Sequence, residues 1–500
     1  MGFSMFIQEL IALLNPHVIF TLAWSTLLGI TVGALPGLTA VMTLSLLVGL
    51  TYSMDLGMAM TVLMGVFVGG IYGASKSAIL LGIPGTSAAS ATVADGYALA
   101  KQGQGGPTIG LATVSSTIGT LFGMLILIFL TPMLSRFALQ FQTWEYFLLG
   151  ILGVVICGNL ASKIPLNGWV SGFTGLLIAM IGLEKMYAYA RFSYGDIQLM
   201  GGISFVPAMI GLFGMAEVID VMRNLDKEAV LEKAKGILPH MKDVVGNLRL
   251  SLQSGVIGVL IGIIPGAGED IAAWVSYDTA QRTSKTPEKF GHGSVEGVIA
   301  AETANNSAIG GALIPILSLA IPGSPAAAVM LSAMWLHGIR PGPLLFIESP
   351  SFIYQIAALL FLGAIMILFL GLLVTSPMNK VLIVPKPILM PIVMVLAVLG
   401  SFAINMKMFD VYTMFFFGIL GYFMRKVDVP PAPMVLGLIL GPMVDTNLRR
   451  GLSMSGGSLA PMFGRPITLI LIIVIVLMLL TQNKWFMKKV GSFFGSFKKA

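Results

Sequence analysis

Two short segments place hydroxyl groups directly after a proline-glycine break. The first is Gly82-Ile83-Pro84-Gly85-Thr86-Ser87, followed by a run of small residues. The second is Ala320-Ile321-Pro322-Gly323-Ser324-Pro325, followed by three alanines. Proline ends a helix because it has no N–H to donate, and glycine accepts the sharp bend that follows. A serine or threonine at that point caps the next helix start. Exposed N–H groups and the positive end of the helix dipole then favour an anion. Gly85, Thr86, Ser87, Gly323 and Ser324 are therefore candidate substrate-binding residues. The competing reading is a proline kink whose small residues serve close helix packing.

Each break keeps polar company: Tyr72-Gly73-Ala74-Ser75-Lys76-Ser77 before the first, Glu302-Thr303-Ala304-Asn305-Asn306-Ser307 before the second. Asn305 and Asn306 offer carbonyls to a sodium ion and amide donors to a carboxylate, or polar contacts between helices. A charged residue at mid-bilayer costs about 2.5–3.5 kcal/mol, so it needs a partner or a cavity. Lys76 is a candidate for attracting an anion, with snorkelling or pairing to an acid as the alternative. Glu302 is a candidate for carrying a coupling proton or binding a cation.

A second pair of breaks reads Leu35-Pro36-Gly37-Leu38-Thr39 and Ile264-Pro265-Gly266-Ala267-Gly268. Each is the tip of a helical hairpin or a mid-membrane kink. Broken backbone survives in a bilayer only where protein buries it or a wet cavity borders it, and paired breaks in repeated halves point to a transport site. Gly37, Thr39, Gly266 and Gly268 join Glu302 as ion-coupling candidates. Glu269 and Asp270 follow at once, either reaching water at a hairpin tip or serving a cation.

Enzyme chemistry finds no support. Residues 70–77 miss the phosphate-loop pattern at Ser75, and no strand precedes them. His17, His240, His292 and His337 lack metal-ligand spacing, and hydrolase signatures are absent. Cys157 alone forms no internal disulfide. No cofactor is expected beyond a coupling Na+ or H+.

The elements that hold these residues are membrane helices. Of 500 residues, 56% are hydrophobic and 10% charged, with mean hydropathy +0.92, against about 25% charged in soluble domains. Residues 108–134, 351–376 and 466–482 are long enough to span about 30 Å of hydrocarbon. The net charge of +7 reflects lysines and arginines in connections and the tail, where they set orientation, so nucleic acid is not an expected partner. Lys484, Lys488, Lys489, Lys498 and Lys499 place the C-terminus in the cytoplasm. The first residues lack the basic region of a cleaved signal, so the first apolar run is retained.

The two halves resemble each other in order. Gly33 to Gly37 matches Gly262 to Gly266 (262 − 33 = 229), and Ile83 to Thr86 matches Ile321 to Ser324 (321 − 83 = 238). Gly106-Pro107 matches Gly342-Pro343, and Pro207 with Gly211 matches Pro433 with Gly437. Residues 52–57 carry no positive charge, whereas their counterparts include Arg282, Lys285 and Lys289. Opposite bias implies opposite sides, hence an inverted repeat; Arg449, Arg450 and Arg465 weigh against it. The expected fold is an all-α polytopic membrane protein with about twelve spanning segments and re-entrant helices. Its divisions are a first repeat at 1–220, a cytoplasmic connection at 221–249, a second repeat at 250–445, a linker and final helix at 446–482, and a basic tail at 483–500.

These motifs resemble a known family. Gly70-Ile71-Tyr72-Gly73, Ile83 to Thr86, Asp95-Gly96-Tyr97 and Lys101-Gln102-Gly103 look like the first signature of the large subunit of tripartite tricarboxylate transporters, the TctA family. Gly262 to Gly268, Phe290-Gly291-His292-Gly293-Ser294-Val295-Glu296-Gly297, Glu302 to Asn306, Ile321 to Ser324 and His337 to Pro343 resemble the second. The resemblance implies secondary uptake of a small di- or tricarboxylate across a bacterial inner membrane. It also implies two partners, a periplasmic solute-binding protein and a small four-helix membrane subunit. Gly85, Thr86, Ser87, Asn305, Asn306, Gly323 and Ser324 are the motif residues that carry over. Lys76 and the pair Glu269-Asp270 depart from the family pattern. A passive anion channel, an intramembrane enzyme and a non-transporting membrane partner are the rival functions.

Overall fold

The computed structural model describes residues 2–35, 38–160, 164–223, 236–375 and 386–480. It is 81% helical. Among the described residues, six helices are long and apolar enough to cross a membrane: Pro16–Ala34, Leu56–Leu81, Ser87–Ala138, Phe205–Arg223, Pro350–Leu373 and Pro387–Asn405. Shorter apolar helices, among them Ala40–Ser53, Leu248–Ile263 and Pro466–Leu480, accompany them. The chain is an all-α, multi-pass membrane protein. Gly37, the lysines of the tail and residues 224–235 of the central polar segment lie outside the described residues.

Two compact units form, Met1–Leu139 with Val206–Phe423 and Gln140–Phe205 with Met424–Ala500, so each draws on both halves of the sequence. The first contains α1 (Gly2–Leu13), α2 (Pro16–Ala34), α3 (Ala40–Leu50), α4 (Leu56–Leu81), α5 (Ser90–Leu99), α6 (Gly105–Ala138), α7 (Leu248–Ile263), α8 (Gly268–Thr283), α9 (Val295–Leu319), α10 (Pro325–Leu336) and α11 (Pro350–Leu373).

Helices α4 and α9 form the centre of this unit, with nearly every residue buried. The Asp55 carboxylate caps the start of α4 by accepting from the Met58 N–H at 3.1 Å. Ser294 does the same for α9 by accepting from Gly297 at 3.2 Å. Helix α4 ends at Gly82 with φ +65° and α9 at Ala320 with φ +60°. A side chain in that left-handed region costs about 1 kcal/mol, which glycine avoids.

Each central helix is held by a glycine-bearing neighbour. A methyl at Gly29 or Gly33 of α2 would strike the carbonyls of Val66 or Gly70 on α4. A methyl at Gly258 or Gly262 of α7 would strike those of Ala304 or Ala308 on α9. Backbones in such pairs touch directly, as small residues permit in membranes.

The second unit contains Thr143–Leu160, Pro165–Ile178, Pro431–Met454 and Pro466–Leu480. It also holds a two-residue antiparallel ladder, Gly182 opposite Arg191 and Leu183 opposite Ala190. Asp445 accepts two bonds from the Arg191 guanidinium, at 3.0 and 2.9 Å, and one from Arg449 Nε at 2.9 Å. Arg465 pairs with the fully buried Glu145 at 2.7 Å. Two of the three arginines that weigh against inversion are thus bound to carboxylates.

Candidate functional site

The first break follows α4 because Gly82 turns the chain left-handed and Pro84 cannot continue a helix. The Gly85 N–H then lies 3.5 Å from the Ala74 carbonyl, so the break folds back on its own helix. The second break repeats this geometry: the Gly323 N–H donates to the Ala312 carbonyl at 3.4 Å. Neither glycine has room for a side chain, since a Cβ would strike the carbonyl of Gly33 at the first and of Gly262 at the second. Thr86 and Ser324 follow in extended backbone and open the next helical segments.

Three of the four breaks are joined by hydrogen bonds. The Gly268 N–H donates to the Gly323 carbonyl at 3.1 Å. The Ser324 hydroxyl donates to Glu269 at 2.9 Å, and the Ser87 hydroxyl donates to Asp270. Gly266 and Gly268 take φ +75° and +61°, which sets the turn that brings both carboxylates back to the serines. Glu269 is buried at 3% exposure, so a hairpin tip reaching water does not describe it. The carbonyl of Gly33, in the last turn of α2, lies against Gly85 of the first break. Thr39 caps α3 by accepting from the Met42 N–H at 3.1 Å.

In the first half of α9 lie Glu302, Asn305 and Asn306, all fully buried. Glu302 accepts hydroxyl bonds from Ser75 of α4 at 2.6 Å, Ser116 of α6 at 2.9 Å and Thr92 of α5. Asn305 donates to the Ala88 carbonyl at 3.3 Å, directly behind the first break. Asn306 donates to the Glu302 carbonyl at 3.1 Å and to the Asn305 side chain at 2.6 Å. Among the described residues no cluster of His, Cys, Asp and Glu could hold a metal ion.

The family model described as "Tripartite tricarboxylate transporter TctA family" matches residues 19–436. The chain belongs to this family. It is 34% identical over 445 residues to an uncharacterized 52.8 kDa protein from the TAR-I ttuC' 3' region of Agrobacterium vitis, covering 88% of each chain. A second protein, from the TAR-II ttuC' 3' region of the same organism, is 38% identical over 210 residues, which is 42% of this chain and 87% of that one. No solved structure matches the chain.

Two TctA signatures meet face to face. Asp95, fully buried, accepts the N–H groups of Gly291, Gly293 and Ser294 at 2.8, 2.9 and 2.8 Å and the Tyr277 hydroxyl at 2.8 Å. Gln102 donates to the His292 carbonyl at 3.0 Å, and Lys101 lies over the Tyr97 ring at 4.4 Å. The motifs are visible in the sequence, but the role of Asp95 in joining them is not. Nor are Thr92 and Ser116 visible there as partners of Glu302.

Lys76 is 1% exposed and donates to the Gly371 carbonyl at 2.9 Å and the Thr375 hydroxyl at 2.7 Å, at the end of α11. These bonds satisfy the ammonium at a negative helix end. Thr375 also donates to Gly371 at 2.6 Å, so both groups keep a partner without the lysine. Lys76→Met is therefore expected to fold normally and to change the uptake KM by less than about twofold. Initial-rate uptake measurements check this, and a KM rise of tenfold would favour Lys76 as a substrate-site residue.

Proposed function

We propose that this chain is the large membrane subunit of a secondary transporter that brings a small carboxylate anion across a bacterial inner membrane. A periplasmic solute-binding protein delivers the anion, and a small four-helix subunit completes the membrane complex. A Na+ or H+ gradient supplies the driving force, and no chemical step on the substrate is involved. The observation that carries the reading is the junction of the breaks, where Ser324 and Ser87 already hold carboxylates of the chain itself. Hydroxyls at the two breaks thus bind this functional group in this place. The substrate docks among Gly85, Thr86, Ser87, Asn305, Asn306, Gly323 and Ser324, and Glu302 with the glycine turns serves the coupling ion.

About twelve spans in two inverted repeats, with the tail in the cytoplasm, complete the architecture. Recurring contacts support the repeat. Gly85–Ala74 returns as Gly323–Ala312, and 323 − 85 and 312 − 74 both equal 238. Gly29 on Val66 returns as Gly258 on Ala304, with 258 − 29 = 229 and 304 − 66 = 238.

The test is uptake of labelled carboxylates by proteoliposomes holding this chain, its small subunit and the binding protein. Accumulation that needs the binding protein and collapses with one ion gradient is the expected result. Downhill leakage indifferent to both would make the protein a channel.

A further inference from the structure

Thr86 and Ser324 hold matching places, with φ, ψ of −133°, 163° and −143°, 165°. Their hydroxyls are used differently. Ser324 Oγ accepts from the Ala327 N–H at 3.1 Å and donates to Glu269 at 2.9 Å. Thr86 Oγ1, on a residue only 6% exposed, caps no N–H and has no partner among the described residues. A buried hydroxyl left alone is unfavourable, and a group held for a ligand is one reason to find it so.

The difference traces to one position. Glu269 maps onto Ala40 in the first half, since 269 − 229 = 40. Ala40 opens α3 as Glu269 sits at the start of α8. The second half supplies its serine with a carboxylate, and the residue at the matching position of the first half is an alanine, which has none to offer. A carboxylate bound at Thr86 would reproduce the Ser324–Glu269 contact.

We propose that Thr86 docks a carboxylate of the substrate and that Glu269 is the chain's own carboxylate filling the equivalent place on Ser324. The junction then takes one substrate carboxylate, at the first break. Toward the second break it takes a hydroxyl or another uncharged hydrogen-bonding group, because Glu269, held on Ser324, repels a second anion there. This rests on the carboxylate-transport reading and narrows it: the substrate is a hydroxy acid with a single carboxylate.

The test uses the full chain in lipid nanodiscs with lactate, malonate and citrate as probes, binding being read by protection against heat. Wild-type protein is expected to bind lactate at least tenfold more tightly than malonate or citrate. Thr86→Val should weaken lactate at least tenfold, and Thr86→Ser should restore it. Glu269→Ala, which copies Ala40, should tighten malonate at least tenfold by freeing Ser324. Glu269→Gln, which keeps a hydrogen-bonding partner for Ser324, should shift the preference the same way while preserving the fold. Lactate binding unchanged in Thr86→Val, or a lactate-to-malonate ratio unchanged in both Glu269 variants, overturns the proposal alone. So does a wild-type preference for malonate or citrate. If no carboxylate protects the wild type and the complete three-component system takes none up, the transport reading itself falls, and this proposal with it.

Discussion

Asp95→Ala is expected to destabilise the protein by about 3–5 kcal/mol, the range for stripping one partner from a buried charged network. The carboxylate is fully buried and accepts four hydrogen bonds, three from the backbone loop 291–294 and one from Tyr277. Bonds to a charged acceptor contribute roughly twice what neutral ones do. Alanine would leave Ser294 N–H and the Tyr277 hydroxyl without an acceptor in a site with little water, while Gly291 is exposed and can find some. The loop matters because it leads into α9, the helix that carries Glu302, Asn305 and Asn306. Gly297 shows how close the fit is, since a Cβ there would collide with the same carboxylate. Thermal denaturation in detergent should show a markedly lower melting temperature, with Asp95→Asn recovering part of the loss. A melting curve that matches wild type would mean that the loop does not depend on this anchor.

The second large effect is at Glu302. Its carboxylate gathers hydroxyls from α4, α5 and α6 onto α9. Glu302→Ala removes the shared acceptor, and each serine or threonine can fall back only on a carbonyl of its own helix. A loss of about 2–4 kcal/mol follows, together with at least a tenfold drop in uptake. Glu302→Gln separates structure from coupling. The amide keeps one acceptor oxygen, so the melting temperature should stay within a few degrees. Accumulation driven by the ion gradient should fail, while exchange of labelled for unlabelled substrate persists. Equal loss of exchange and accumulation in a stably folded Gln variant would reduce Glu302 to a structural role.

The breaks were legible in sequence because their cause is local. Proline and glycine decide backbone shape within a few residues, and the order Ile-Pro-Gly-Thr and Ile-Pro-Gly-Ser carried that decision twice. Membrane helices were legible for the same reason, as runs without charge. Partnerships were not. Asp95 meets Gly291 across 196 residues, and Ser75 meets Glu302 across 227. Spacing along a chain says nothing about such pairs, because the fold between them sets the distance. Lys76 illustrates the limit: its cost in a bilayer was readable, but its partner on α11 lies 295 residues away. Glu269 shows the same limit: whether an acid after a glycine turn reaches water depends on where the turn folds it, here onto the buried Ser324.

The bare seams between α2 and α4, and between α7 and α9, have a mechanical meaning. Where carbonyl lies against Cα, contact is made by atoms that have no rotamers, and weak Cα–H···O bonds add about 0.5–1 kcal/mol each. Such a surface has no alternative set of knobs and holes into which it could click. Each pair is therefore expected to move as a stiff double rod, with shear along it disfavoured. On the proposed transport reading, the compliance that alternating access requires is left to the short lengths of chain between the rods, which are the same lengths proposed to touch the cargo.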